Sequence, residues 1–345
     1  MDYNFDSYDG DLTVTKLENN DTWSKRQDMA SVVYNDEIYI IGGYDITVRG
    51  EKDCYREDVY KSSDGINWTL LNDNAPFKGR RGHRATVFDG YIYVAGGFYA
   101  DDDTGDRGYK NDVWRSNDGI TWEEVSENIQ TPWVSRKDFG MLSTDSAIYV
   151  FGGFRQLENV GPQYLDDVWK FNGTSWTQLT DATMPGGRSA FAYEFVENDI
   201  YIQGGSFLGA TQSKTGKVDT SITQWNSLYK LDTTDDTSSW ISLDKEPIES
   251  CNRRSDHSLV YLNEKLWLLS GRSNSSLHFS HNKDTYGTLY FDFNTNNWIM
   301  DSYGAPTDPL YGYSIEILKD NIYLLGGFSN NGPRNSVWLL EEGDN

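Results

Sequence analysis

The sequence predicts an all-β fold built from six similar units, each a small sheet of four antiparallel strands. Three observations support this prediction. One six-residue phrase recurs along the chain, an arginine precedes most of its copies at a similar distance, and aromatic residues make up 14% of the sequence. Aromatic and β-branched residues favour strands, whereas Gly, Asn and Asp favour the turns between them.

The recurring phrase ends in a pair of glycines and sets the length of the unit. Its full copies are IYIIGG at 38–43, IYVAGG at 92–97, IYVFGG at 148–153, IYIQGG at 200–205 and IYLLGG at 322–327. In a degenerate copy, LWLLSG at 266–271, Ser270 replaces the first glycine. The first residue of the pair recurs after 54, 56, 52, 66 and 56 residues. These intervals are too long for most helical repeats and are typical of propeller blades.

Further marks divide each unit into four strands. About a dozen residues before the phrase lies an arginine, and these residues form the arginine row: Arg26, Arg80, Arg136, Arg188 and Arg254. The last unit has Leu310 there, followed by Tyr311. After the phrase come an aliphatic–aromatic pair and then, in five units, a tryptophan: Trp68, Trp122, Trp176, Trp240 and Trp298. Four short strands a, b, c and d, repeated six times, predict a six-bladed β-propeller.

The propeller is predicted to be one domain over 1–345, closed by its N-terminal strand. The repeats span about 24–74, 75–128, 129–182, 183–246, 247–304 and 305–340. The sixth ends in VWLLEEGDN without a tryptophan, whereas DLTVTKL at 11–17 is a spare strand ahead of the first repeat. Segment 11–17 is therefore expected to supply strand d of the last blade, which would pair two otherwise open sheet edges.

These marks resemble the kelch-repeat family from about residue 11 to residue 340, and Ser270 and the missing sixth arginine are departures from its pattern. The resemblance implies that some arginines of the row contact acidic ligands at the central opening, while others hold neighbouring loops. It also implies that His83 and His257, three residues after their arginines, are structural. The turn SSDGINW resembles those of bacterial or viral extracellular kelch proteins, which favours an extracellular location over a cytoplasmic one.

Composition excludes some classes of partner. The net charge of −23 makes this an acidic protein that would repel a phosphate backbone, so nucleic acid is not an expected partner. There is no run of 18 apolar residues to span a membrane, and MDYNFDSYDG lacks the basic and apolar stretches of a signal peptide. Two cysteines, Cys54 and Cys251, do not make a disulfide framework. Composition does not determine the oligomeric state.

The favoured ligand-binding face carries the long b-to-c loops, since long loops on a rigid scaffold are where binding residues concentrate. The links that carry the arginine row lie on the same face. The candidate ligand-binding residues are Arg80, Arg136, Arg188, Arg254, Tyr44, Phe98, Phe154, Arg272 and Tyr311. Aromatic rings could stack on a sugar and guanidinium groups could fork a carboxylate. The alternative is that the rings wedge beneath the loops and the arginines pair with neighbouring blades.

No cofactor is required by the sequence, but two groups could bind metal. Unit five gathers His257, His278, His281 and Cys251, a soft set of transition-metal ligands. The run DDDTGDRG at 101–108 places Asp101, Asp103 and Asp106 at spacings that would suit Ca²⁺, or would form a solvated acidic loop tip.

Two functions remain open. The first is a binding module that presents an Arg and aromatic loop face to a glycan or protein ligand, because the sequence has no nucleophile elbow, phosphate loop or HExxH motif. The second is a carbohydrate-acting enzyme that uses the same face, since kelch-like propellers include a sialic acid mutarotase and metal-dependent galactose oxidases. Mutarotase-like acid/base chemistry would use Asp28, Asp138 or Asp256, two residues after their arginines.

Overall fold

The computed structural model describes residues 11–20, 22–48, 54–101, 106–212, 218–243, 254–272, 288–302, 311–329 and 332–342. Over these ranges the chain forms six four-stranded antiparallel sheets, which are the blades of a propeller. This arrangement confirms the predicted fold class. The helical segments in the same ranges are two short 3-10 turns, at Val125–Glu127 and Thr180–Ala182. In the described ranges, no helix has the length and apolar character that crossing a membrane requires.

The blades follow one another along the chain, after a leading strand β1 (Leu12–Leu17). Blade 1 consists of β2 (Ala30–Tyr34), β3 (Glu37–Tyr44), β4 (Tyr55–Ser62) and β5 (Thr69–Asn72). Blade 2 consists of β6 (Arg84–Phe88), β7 (Tyr91–Ala95), β10 (Val113–Ser116) and β11 (Glu123–Glu124), with β8 (Phe98–Asp101) and β9 (Asp106–Tyr109) between β7 and β10. Blade 3 consists of β12 (Gly140–Ser143), β13 (Ile148–Phe151), β16 (Val168–Phe171) and β17 (Trp176–Gln178), with β14 (Phe154–Leu157) and β15 (Gly161–Tyr164) inserted in the same place.

The second half of the ring repeats this plan. Blade 4 consists of β18 (Ala192–Val196), β19 (Asp199–Gln203), β22 (Leu228–Asp232) and β23 (Ile241–Ser242), with β20 (Ser206–Gln212) and β21 (Val218–Gln224) inserted. Blade 5 consists of β24 (Ser258–Leu262), β25 (Lys265–Leu269), β26 (Thr288–Asp292) and β27 (Asn297–Ser302). Blade 6 contains β28 (Ser314–Leu318), β29 (Asn321–Leu325) and β32 (Val337–Glu342), with β30 (Phe328–Ser329) and β31 (Gly332–Pro333) inserted.

Strand β1 closes the ring as the sequence predicts. It pairs antiparallel with β32, from Leu12 opposite Glu342 to Leu17 opposite Val337, and is the fourth strand of blade 6. Leu12 is buried among apolar residues of blades 5 and 6, whereas Leu17 packs against the cluster between blades 6 and 1. The first strand of the chain therefore ties the last blade to both of its neighbours.

The hydrophobic core is divided among the blade interfaces. Six clusters of buried residues occur in the described part of the chain, and each combines side chains of two successive blades. Large aromatic side chains fill these interfaces, among them Trp133 between blades 2 and 3, which is 1% exposed. Aromatic rings bury a large apolar area per residue, which suits the wedge-shaped gap between two twisted sheets.

The glycine pairs allow the close approach of adjacent blades. Gly97, with φ of 97°, donates its N–H to the Arg136 carbonyl of the next blade at 2.8 Å. A Cβ atom on Gly96 would lie 2.8 Å from Cε1 of Phe139 in the next blade. Ser270 replaces a glycine in blade 5 and still adopts the left-handed conformation, with φ of 57°, which costs more for a residue that has a side chain.

The long b-to-c connections contain additional strands rather than irregular loops only. In blades 2, 3, 4 and 6 these connections form two-stranded antiparallel ribbons, and in blade 1 strands β3 and β4 themselves extend into the connection. Pairing within a ribbon satisfies backbone groups that an irregular loop would leave to water. The ribbons give their side chains fixed positions around the central opening.

Candidate binding site at the mouth of the central channel

A belt of six residues surrounds the mouth of the central channel. The belt is defined by the second residue after each arginine of the row and its equivalent in blade 6: Asp28, Gly82, Asp138, Ala190, Asp256 and Gly312. All six have φ between 51° and 63°. Backbone N–H groups of the belt donate to the belt carbonyl of the preceding blade, for example Gly82 to Asp28 at 2.9 Å and Asp138 to Gly82 at 2.8 Å. The left-handed conformation thus builds a hydrogen-bonded rim from separate blades.

Carboxylates alternate with small residues around the belt. The acidic residues belong to blades 1, 3 and 5, and the intervening positions hold Gly or Ala. A Cβ on Gly82 would lie 2.5 Å from Oδ1 of Asp138, and a Cβ on Gly312 would lie 2.5 Å from Oδ1 of Asp28. Each of these carboxylates therefore lies over the neighbouring glycine, and the absence of a side chain there makes room for it.

Each belt carboxylate has a cationic partner. Lys137 Nζ lies 2.9 Å from Asp138, and Arg272 Nε lies 2.6 Å from Asp256. Arg81 Nη1 lies farther from Asp28, at 3.7 Å. The mouth therefore presents both signs of charge, which suits a ligand with charged and polar groups of either sign.

Asp28 and Asp138 are electrostatically coupled across Gly82. Burial, and then the neighbouring charge of Asp138, raises the pKa of Asp28 from 3.8 to about 6. Burial also acts to raise the pKa of Asp138, but Lys137 and two nearby arginines outweigh it, and the pKa of Asp138 is lowered. Of these two carboxyls, Asp28 is therefore the one whose charge changes nearer to neutral pH.

Next to the belt, six aromatic rings form a continuous arc across blades 1, 2 and 3. We call this set the aromatic arc: Tyr44, Tyr55, Phe98, Tyr109, Phe154 and Tyr164. Successive ring centroids are separated by 5.1, 6.0, 5.1, 6.1 and 5.1 Å. The b-to-c connection of each of these three blades contributes an opposed pair, such as Phe98 opposite Tyr109, and contacts between rings of adjacent blades join the pairs. All six rings are half-buried.

The belt cations lie against aromatic rings. Arg81 Cζ is 4.7 Å from the centroid of Tyr44, and Lys137 Nζ is 5.9 Å from that of Phe154. On the other side of the mouth, Arg272 Cζ is 5.1 Å from Tyr311, and the Tyr311 ring in turn packs against Phe328 at 5.3 Å. These contacts fix the orientation of flexible cationic side chains, so the mouth is organised before any ligand arrives.

Below the belt, the channel encloses about 520 Å³ and contains two acidic side chains. Burial raises the pKa of Glu194 from 4.5 to about 7, although backbone N–H groups of Phe195 and Tyr261 donate to it. Glu316 accepts a hydrogen bond from Ser31 Oγ at 2.6 Å. Burial, with a contribution from the charge of Glu194, also raises the pKa of Glu316 to about 7.

These raised pKa values predict a stability that decreases as pH rises. Because the folded state holds these two glutamates in their protonated form, their contribution to the free energy of unfolding is complete below about pH 4.5. That contribution is lost as the pH rises through 7. Glu194→Gln and Glu316→Gln should each raise the free energy of unfolding at pH 8.5 by roughly 1–3 kcal/mol, and by little at pH 4.5. Urea unfolding at both pH values measures this, with the exposed Glu18→Gln as control. An equal effect at both pH values would contradict the prediction.

The structure places the arginine row inside the blades. Arg80, Arg136, Arg188 and Arg254 are at most 1% exposed, and their Nη1 atoms donate to the carbonyl of the first residue of the glycine pair in their own blade. In the described part, carboxylates complete this arrangement for Arg26, Arg80 and Arg136. By contrast, Tyr44, Phe98, Phe154, Arg272 and Tyr311 are brought together around the mouth.

The two histidines that follow the arginine row are buried and neutral. Nε2 of His83 lies 3.1 Å from the Ile41 carbonyl of blade 1, and Nε2 of His257 lies 2.5 Å from Oε1 of Gln203 in blade 4. Burial lowers the pKa of His83 to about 3 and that of His257 well below its usual value. Both rings bridge adjacent blades.

The predicted metal sites fall mostly beyond the described ranges. Cys251, His278 and His281 lie outside them, as does Asp103, so their relation to His257, Asp101 and Asp106 stays a prediction. Within the ranges that the structure describes, there is no group of three His, Cys, Asp or Glu side chains placed to hold a metal ion.

Several residues of the mouth were not among the predicted ligand-binding residues, among them two cations and three tyrosines. Arg81 and Lys137 directly follow arginines of the row, and a charged residue at this place was a usable signal. Tyr55, Tyr109 and Tyr164 lie on the returning strand of each connection. Because the connections differ in length, the regular spacing of the repeat does not identify these tyrosines.

Comparisons with known proteins agree with this architecture. A family model described as the KLHDC2/KLHL20/DRC7 Kelch-repeats domain matches residues 3–205, more than half of the chain. Kelch domain-containing protein 3 of Homo sapiens is 26% identical over 148 residues, which are 41% of this chain and 36% of that protein. Kelch-like protein 40 of Xenopus laevis is 30% identical over 148 residues, 41% of this chain and 21% of that protein. The matches thus cover well under half of these relatives.

A solved structure described as "Structure of YjhT" has the same fold. The alignment covers 95% of this chain and 98% of the chain in that structure, and its TM-score is 0.68. The sequence identity is 16%, so the likeness concerns the fold alone.

Proposed function

This chain belongs to the kelch-repeat family, whose propellers are generally protein–protein interaction modules, and from this premise we propose that it binds a protein segment at the mouth of its channel. The observation that carries the proposal is the aromatic arc beside the charged belt. A continuous row of half-buried rings, flanked by fixed cations, is the kind of surface on which interface binding energy concentrates.

The arc suits an extended peptide segment. Its rings come from three successive blades and their centroids are 5–6 Å apart, so several side chains of one partner could contact it in turn. Aromatic residues and Arg are enriched in the central parts of protein interfaces. The ion pairs of the belt would meet polar and charged groups of the same segment and set its direction.

Peptide display on the purified protein tests this proposal. We expect selected peptides to lose roughly 10- to 100-fold in affinity for Phe98→Ala and Phe154→Ala, as truncation of aromatic hot spots does. The control is Ile120→Ser in the β10–β11 turn of blade 2, on the opposite face, where the side chain is 51% exposed. Thermal melting of each variant confirms that it folds.

Two results would overturn the proposal. One is peptides that bind the arc variants as tightly as the unchanged protein while losing affinity for Ile120→Ser. The other is a glycan array that gives ligands dependent on Phe98 and Phe154 when no peptide is selected, because the same face would then recognise a sugar.

A further inference from the structure

Blades 1 to 3 share a buried fork in which one arginine holds one carboxylate. In blade 2, Arg80 Nη1 and Nη2 donate to the two oxygens of Asp112 at 2.7 and 2.8 Å. In blade 3, Arg136 donates in the same way to Asp167, at 2.7 Å for both bonds. In blade 1 the fork consists of Arg26 and Asp58. In all three, Nη1 also donates to the glycine carbonyl of its own blade.

Blade 4 has the arginine of this fork, but its described residues supply no carboxylate. The backbone register is the same, because Lys110, Leu165 and Trp225 each donate their N–H to the second glycine of their blade at 2.9 Å. The residue two positions after each of these N–H donors is Asp112 in blade 2, Asp167 in blade 3 and Ser227 in blade 4. A serine therefore occupies the place of the acid, and its side chain is too short to reach the guanidinium fork.

Among the described residues, the hydrogen-bond partners of Arg188 in blade 4 are all carbonyl oxygens. It donates from Nε to Gly186 at 3.3 Å, from Nη1 to Gly204 at 3.1 Å and from Nη2 to Pro185. A guanidinium has five N–H donors, so one N–H on Nη1 and one on Nη2 remain. Those two atoms hold the carboxylate in blades 1 to 3. The structure shows no carboxylate paired with Arg188 in the described ranges, and its side chain is 0% exposed.

A tryptophan lies over this guanidinium. Arg188 Cζ is 4.8 Å from the Trp225 ring centroid and 5.5 Å from that of Tyr229. The Phe207 ring stacks on Trp225, with the two ring centroids 4.6 Å apart. Nε1 of Trp225 is buried and has no hydrogen-bond partner within the ranges that the structure describes. Blade 4 thus brings together a guanidinium with two unused N–H groups and an indole N–H that has no acceptor in the described part.

The place of the missing carboxylate adjoins solvent. The side chains of Asp58, Asp112 and Asp167 are 14%, 17% and 20% exposed, and Ser227 is half-buried. We propose that blade 4 binds a carboxylate group supplied by a ligand, which pairs with Arg188 where blades 1 to 3 use their own aspartates. The bond would be the bidentate guanidinium–carboxylate pair, and Trp225 would border the site.

Acetate is the simplest probe of this site. Sodium acetate should raise the Tm of the unchanged protein by about 1–3 °C over sodium chloride at equal ionic strength, because a ligand that binds the folded state stabilises it. It should also change the fluorescence of Trp225. The decisive variant is Ser227→Asp, which supplies the carboxylate in cis: its own Tm should rise and its response to acetate should fall at least tenfold.

Further experiments distinguish a C-terminal carboxylate from a side-chain carboxylate, and the fork in blade 4 from the aromatic arc. The Tm increase given by peptides with a free C-terminal carboxylate is compared with that given by the same peptides with an amidated C-terminus. In the same way, peptides that carry Asp or Glu are compared with peptides that carry Asn or Gln at those positions. Phe98→Ala in the aromatic arc should keep the acetate response, because the fork lies in blade 4. Failure of peptide binding to the arc and failure of acetate binding to the fork are thus distinguishable.

Two outcomes would overturn the inference. The first is an acetate response of equal size in Ser227→Asp and the unchanged protein. The second is the absence of any acetate response together with an unchanged Tm in Ser227→Asp, which would mean that the Trp225 ring by itself replaces the carboxylate. Arg188→Met is a supporting variant, and the test remains decisive if that variant fails to fold.

Discussion

Removal of residues 1–17, which include strand β1, is expected to lower the Tm by roughly 10 °C, because several kcal/mol of packing and ladder hydrogen bonds are lost together. Six residues of β1 pair with β32, from Leu12 to Leu17. Deletion exposes β32 as an open edge and uncovers apolar clusters on both sides of blade 6. Differential scanning calorimetry of the truncated and full chains measures the effect.

Two matched substitutions in β1 separate packing from general damage. Leu12 is 2% exposed, so Leu12→Ala should cost about 2–5 kcal/mol, whereas exposed Thr15→Ala in the same strand should cost little. The open edge in the truncated protein should also promote self-association, which light scattering would detect. An unchanged melting curve after removal of 1–17 would refute this closure scheme.

Asp167→Asn in blade 3 is expected to cost about 3–5 kcal/mol of unfolding free energy, because it leaves the guanidinium of Arg136 buried with no counter-charge. Arg136 is 0% exposed and donates two hydrogen bonds to Asp167. Replacing both partners, as in Arg136→Met with Asp167→Asn, should recover part of the loss because no buried charge remains. Urea unfolding of the three variants measures these differences.

Blade 4 provides the control for this prediction. Ser227 occupies the position equivalent to Asp167, and no carboxylate is lost in Ser227→Ala. Its unfolding free energy should therefore change by less than about 0.5 kcal/mol. Equal costs for Asp167→Asn and Ser227→Ala would show that the fork contributes nothing beyond local packing.

Much of the fold could be predicted from the chain because a repeat constrains it strongly. The six copies of the phrase predict the blade count, and the missing last strand beside a spare first strand predicts the pairing of β1 with β32. Hydrophobic and turn patterns act within one blade, over distances of a few residues. The ribbons of the connections were not predicted, because their strands do not share the spacing of the repeat.

The sequence identified some individual residues of the candidate site but not the residues that they contact. The aromatic residues after the glycine pairs and the aspartates two residues after the arginines stand out in the sequence. Their companions do not: Arg81 meets Asp28 across a blade boundary, and Tyr55 meets Phe98 in the next blade. An arginine that recurs in five of the six repeats is equally consistent with an outward ligand contact and an inward structural bond.

The sequence by itself therefore determined the architecture, namely six blades, their strand order and their closure, because those properties follow from local patterns repeated along the chain. Only the tertiary structure decided how the mouth is organised. The alternation of carboxylate and glycine in the belt, the aromatic arc and the unfilled fork of Arg188 depend on contacts between residues that are far apart in the chain. Those contacts are set by the rotation of each sheet against the next, which no pattern within a single repeat encodes.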